Sequence, residues 1–163
     1  MEILKIYQYA LQREYEGKSF FEQNAQRLSH ASAVEVFKRL AEEEQRHINF
    51  IVAQIEVLQD PRSAEKPVKA EIPEAGFFSQ RAQSEMIDQT VAEAMVPDLP
   101  VLRMAYLIER DFAEFYEMAA SKSSGQAKEA LGLLAGWERV HERLFKQMHD
   151  RAFELYAQMP WGG

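Results

Sequence analysis

The chain of 163 residues contains no cysteine. Disulfides, thiolate zinc sites, iron–sulfur clusters and a cysteine nucleophile are therefore excluded for it. It has no excess of base either. Its 26 acidic and 19 basic residues leave a net charge of −7, which argues against nucleic acid or an anionic membrane as the main partner, because both need clustered Lys and Arg. No apolar run approaches the ~18–20 residues that span a bilayer. Met1 to Gly17 is interrupted by Glu2, Lys5, Arg13, Glu14 and Glu16, unlike a signal peptide. β-branched residues are sparse and never alternate with polar ones, so strands are not expected. With 47% hydrophobic residues, the expectation is one soluble, cytoplasmic domain over residues 1–163 with a real core.

Proline is confined. Pro61, Pro67, Pro73, Pro97 and Pro100 are five of the six. They mark a crossover over residues 60–98, irregular from Pro61 to Gly76, with a short helix expected over Phe78 to Ala94. On either side lie two long segments rich in helix formers, residues 2–59 and 99–157. Their apolar residues recur every three to four positions. The first carries Ile3, Ile6, Ala10, Gly17, Phe21 and Leu28, then, after a break at Ser29 to Ser32, Phe37, Leu40, Ala41, Ile48, Ile51, Ile55 and Leu58. The second carries Leu102, Ala105, Phe112 and Tyr116, then, after a break at Ser121 to Gly125, Leu131, Leu134, Phe145 and Met148. Serine at each break is a good N-cap. The pattern predicts two helical hairpins joined by a long crossover, an all-α four-helix bundle.

The gaps in the stripes carry acid. Glu14 falls between Ala10 and Gly17, Glu44 between Ala41 and Ile48, Glu109 between Ala105 and Phe112, and Glu138 between Leu134 and Phe145. His47 and His141 follow Glu44 and Glu138 by three residues, on the same helix face. The halves also resemble each other. Glu109 lies 95 residues after Glu14 and Glu138 lies 94 after Glu44, and an aromatic pair (Phe20-Phe21, Phe115-Tyr116) follows the first Glu of each half at the same distance. An internal duplication of a hairpin explains this.

Hairpin geometry sets the heights. The midpoint of Glu14 and Glu44 is Ser29, and that of Glu109 and Glu138 falls between Ser123 and Ser124, so both midpoints lie in the breaks. Each hairpin thus brings its two carboxylates level and facing inward. Four carboxylates in an apolar core are severely unfavourable without cations, and no Lys or Arg shares their stripes. Four Glu and two His suit two divalent metals: the charges cancel, and each ion takes one His. Iron or manganese fits this ligand set, with zinc possible.

At this point the chain resembles the rubrerythrin-like members of the ferritin-like superfamily, whose di-iron pattern is one Glu from each of two helices and Glu-x-x-His from each of the other two. Glu14 and Glu109 match the lone glutamates. Glu44 with His47, in Leu-Ala-Glu-Glu-Glu-Gln-Arg-His, and Glu138 with His141, in Trp-Glu-Arg-Val-His, match the paired motifs. The resemblance covers all four long helices and not the crossover. It implies a non-haem di-iron oxidoreductase that reduces peroxide or dioxygen, with these six residues as ligands. The chain departs from rubrerythrins proper in two ways. It lacks the cysteine-rich rubredoxin module, so an external electron donor is required, and the neighbours of Glu109 (Ala105, Tyr106, Phe112, Ala113) supply no extra carboxylate. The family's dimers imply a homodimer. The rival readings are a ferroxidase or iron-handling protein and a non-catalytic metal-binding bundle.

Other residues are weighed against blander roles. Tyr106, one turn before Glu109, is a candidate hydrogen-bond donor behind the ligands or an electron relay. Glu142 is read as a boundary charge rather than a seventh ligand, and Glu42 and Glu43 as solvated. His30 and His149 are assigned surface or packing roles. Gly132 and Gly136 are candidates for close helix approach or a subunit contact. The aromatic pairs are read as core.

Overall fold

The computed structural model describes residues 2–60, 62 and 95–160. The expected irregular stretch from Pro61 to Gly76 (apart from residue 62) and the expected helix over Phe78 to Ala94 lie outside the described residues. Four long helices are present: α1 (Ile3–Ala25), α2 (Ala31–Gln59), α3 (Leu99–Ser121) and α4 (Gly125–Gln158), with a 3-10 turn at Val96–Asp98 before α3. Among the described residues there is no strand. The chain is an all-α four-helix bundle of two hairpins, α1–α2 and α3–α4.

Periodicity explains what is buried. On α1 the inward residues are Ile6, Ala10, Glu14, Gly17 and Phe21, and on α3 they are Leu102, Ala105, Glu109, Phe112 and Tyr116. Spacings of three and four keep such residues on one face. The turns are made differently from the expected serine caps. The His30 side chain accepts a hydrogen bond from the Ser32 N–H at 3.1 Å and so caps α2. Ser124 precedes α4 with no side-chain cap, and Gly125 supplies the left-handed backbone (φ 57°) of that turn, a region other residues enter at a cost.

Ser29 has another partner. Both carboxylate oxygens of Asp98 accept from the Ser29 N–H at 3.1 Å, and Oδ1 also accepts from its hydroxyl at 3.2 Å. Asp98 is buried, so it pins the end of the crossover to the turn between α1 and α2. Replacing it with alanine removes the charged acceptor of the Ser29 N–H and hydroxyl. We expect Asp98→Ala to cost about 1–3 kcal/mol, read as a lower urea midpoint at unchanged slope.

The apolar core is in two pieces. One end is built around Phe21, Phe37, Leu40, Leu102 and Phe145, with the Phe21 and Phe145 rings stacked at 5.4 Å. The other is built around Ile51, Phe112, Tyr116, Leu131 and Leu134. Between them lies a layer of charge.

Candidate metal centre

That layer consists of Glu14, Glu44, His47, Glu109, Glu138 and His141, each at most 2% exposed. All six candidate ligands therefore converge at one level of the bundle. They form two overlapping groups: Glu14, Glu44, His47 and Glu138, and Glu44, Glu109, Glu138 and His141. Within each group the potential ligand atoms lie within 4.8 Å of one another. Glu44 and Glu138 belong to both. Each hairpin gives three residues to one group and one carboxylate to the other.

The histidines turn the same ring atom inward. His47 Nδ1 is 2.9 Å from Glu138 and 3.3 Å from Glu14. His141 Nδ1 is 3.4 Å from Glu138 and 3.5 Å from Glu109. The two rings are nearly parallel, 5.5 Å apart. Both oxygens of Glu44, Glu109 and Glu138 are buried, with no hydrogen bond of normal geometry. Buried oxygens in that condition are rare and unfavourable. Their number and convergence fit a pair of divalent cations, with carboxylate and imidazole as the donor set.

The protons of the cation-free cluster follow from the same crowding. Burial pushes Glu44 well above the usual carboxylate range, and the charges of Glu138, Glu14 and Glu109 add to it. Burial and Glu138 do the same to Glu109. Burial opposes a charged His47, but Glu138 and Glu14 outweigh it and carry its pKa up to about 10. Burial likewise opposes a charged His141, and the closeness of Glu109 and Glu138 to Nδ1, with the Glu43 hydrogen bond at Nε2, outweighs it. Glu138 goes the other way: burial would raise it, but His47 and His141 hold it below the carboxylate range.

Around the cluster, Glu43 and Tyr116 differ from the sequence expectation, and Trp137 joins them. Glu43, expected in solvent, is buried and accepts a hydrogen bond from His141 Nε2 at 2.6 Å. Tyr116, expected as plain core, is buried and donates its hydroxyl hydrogen bond to Glu14 Oε1. Trp137 stacks on the His47 ring at 5.2 Å and 14°. Tyr106 instead meets the His149 ring at 5.3 Å, with Arg110 and Lys146 over its face. The hydroxyl expected behind the ligands is thus supplied by Tyr116, two turns beyond Glu109. His149 packs against the Phe153 ring, as expected, whereas His30 serves as a helix cap.

Glu142 takes Arg110 at 2.8 Å and Arg139 at 2.6 Å, so it is a paired boundary charge. Gly132 and Gly136 are exposed, and a Cβ on either would meet nothing within 4 Å, so they serve no close approach within the described bundle. Gly17 does. A Cβ there would lie 2.9 Å from the Phe112 ring and 3.4 Å from Glu44 Oε2. Gly17→Ala is expected to push Phe112 aside at about 1–3 kcal/mol, the usual penalty of overpacking, read as a lower Tm.

A four-helix bundle with Glu and Glu-x-x-His donors converging inside it defines the class of carboxylate-bridged metal proteins. The chain belongs to the rubrerythrin family, whose model matches residues 5–149. The match runs from the start of α1 to within the last turns of α4. No match was found among curated proteins or among solved structures.

Proposed function

We propose that this chain is a non-haem di-iron protein that reduces peroxide or dioxygen with electrons from a separate donor. The observation that supports the reading best is the pair of ligand groups sharing Glu44 and Glu138. Two shared carboxylates suit adjacent metals, and four carboxylates balance two divalent charges. Two ferrous ions bound there would supply the two electrons that, with two protons, take hydrogen peroxide to two waters.

The chain's own part is to hold and shield. The apolar cores on both sides keep bulk water from the layer, and Tyr116 fixes Glu14 by its hydroxyl. No helix among the described residues is long and apolar enough to cross a membrane. A cytoplasmic homodimer served by an external donor completes the proposal.

The test begins with ferrous protein prepared without oxygen. Metal analysis should give two iron ions per chain. Mixing with peroxide should raise the near-ultraviolet absorbance and oxidise two ferrous ions per peroxide. Substoichiometric iron, or no absorbance change with either oxidant, refutes the proposal. A shell-sized oligomer in solution would favour iron storage instead.

A further inference from the structure

We infer that the two metal positions are unequal, and that Glu43 makes the position at His141 the tighter one. This rests on the reading that the cluster holds two metal ions. The internal duplication exposes the difference. His47 and His141 are related by the 94-residue offset between the halves, and so are Glu43 and Trp137. Related positions therefore face related histidines with unlike side chains.

Behind His141, the Glu43 carboxylate accepts a hydrogen bond from Nε2–H at 2.6 Å. That keeps a proton on Nε2 and leaves Nδ1, which lies among Glu44, Glu109 and Glu138, as the atom an ion would take. A carboxylate behind a ligand histidine also raises its basicity and locks the ring. Behind His47 there is an indole face instead. His47 Nε2 is buried with no hydrogen-bond partner. An ion on Nδ1 of His47 needs a proton on that shielded Nε2, without an acceptor.

The terminal carboxylates differ in the same direction. Tyr116 donates to Glu14 and draws charge from the ligand on the His47 side. The residue 95 positions earlier, related by the offset of the lone glutamates, is Phe21, which has no hydroxyl to offer. Neither oxygen of Glu109 has such a donor. Glu43 is a positioning residue: it acts through His141 and is in neither ligand group.

The experiment titrates Co²⁺ into the metal-free full chain by calorimetry. Crystals grown with one equivalent of Co²⁺ locate the first ion by anomalous scattering. Two steps about 10–100-fold apart in affinity are expected, the first ion lying between Glu109 and His141. Glu43→Leu should weaken that step by a similar factor and leave the other unchanged. Glu43→Gln, which keeps an acceptor, should fall between Glu43→Leu and the parent. Equal steps, a first ion at His47, or a Glu43→Leu loss spread over both steps would overturn the inference and leave the di-metal reading standing. Fewer than two Co²⁺ bound at saturation would overturn both. The titration of the unaltered chain decides the matter even if a variant fails to fold.

Discussion

Replacing Glu44 with glutamine is expected to abolish binding of both proposed metal ions, and replacing Glu14 to abolish one. Glu44 sits in both ligand groups and Glu14 in only one. Removing a shared carboxylate takes a ligand and a neutralising charge from each ion at once. Metal analysis after dialysis should give two ions per chain for the parent, none for Glu44→Gln and one for Glu14→Gln. The metal-free variant should also melt higher than the metal-free parent. Glu44 has no hydrogen-bond donor and is crowded by Glu138, Glu14 and Glu109, so near neutral pH it folds only by taking up a proton, a cost that glutamine does not carry. A Glu44→Gln protein that keeps both ions would refute the assignment of the shared ligands.

In the metal-free protein, stability falls as pH rises from 5 to 9, opposite to ordinary acid denaturation. Stability falls with pH wherever the folded state holds more protons than the unfolded one. Glu44 and Glu109 are raised by burial and by neighbouring carboxylates. Their contribution is fully present below about 4.3, the unfolded value, and is lost as pH climbs. His47 is raised to about 10, against its burial, by Glu138 and Glu14. Its contribution is complete below about 6.5 and disappears as pH rises through 10. His141 shifts the same way. Glu138 is lowered, so it costs stability only in acid, below this window.

A tenfold change in proton affinity is worth ~1.4 kcal/mol, so the raised pKa of His47 is a stabilising contribution that rising pH removes. Metal ions replace these protons, and binding releases them. The rise in Tm on adding metal should therefore grow with pH. Melting curves at pH 5, 7 and 9, with metal and with chelator, check both statements. A chelated protein whose Tm is level or rising over that range would refute the proton inventory.

The bundle and the six central residues were legible because each rests on a local rule. Helical periodicity gave the stripes, and equal distance from a turn gave the level of Glu14 with Glu44 and of Glu109 with Glu138. Neither rule says which faces of separate hairpins meet. Glu43 is one residue off the stripe and reads as solvent-facing until α4 is laid beside it. Tyr116 continues the stripe of Glu109 like any core aromatic, and only its nearness to Glu14, 102 residues away in sequence, makes its hydroxyl matter. Tyr106 is one turn from Glu109, but the angle between positions three apart turns it toward His149. Asp98 could not be read as a pin on Ser29, because the two are 69 residues apart.

Because each hairpin gives three residues to one group and one to the other, the ligand set maps onto itself when the hairpins are exchanged. A lone hairpin with one Glu and one Glu-x-x-His would complete both groups by pairing with its own copy across a twofold axis. Such a dimer could not treat its two ions differently, since every substitution would appear twice. A single chain that carries both halves is free of that restriction. An acid at position 43 and an indole at position 137 are differences that only a fused chain can encode.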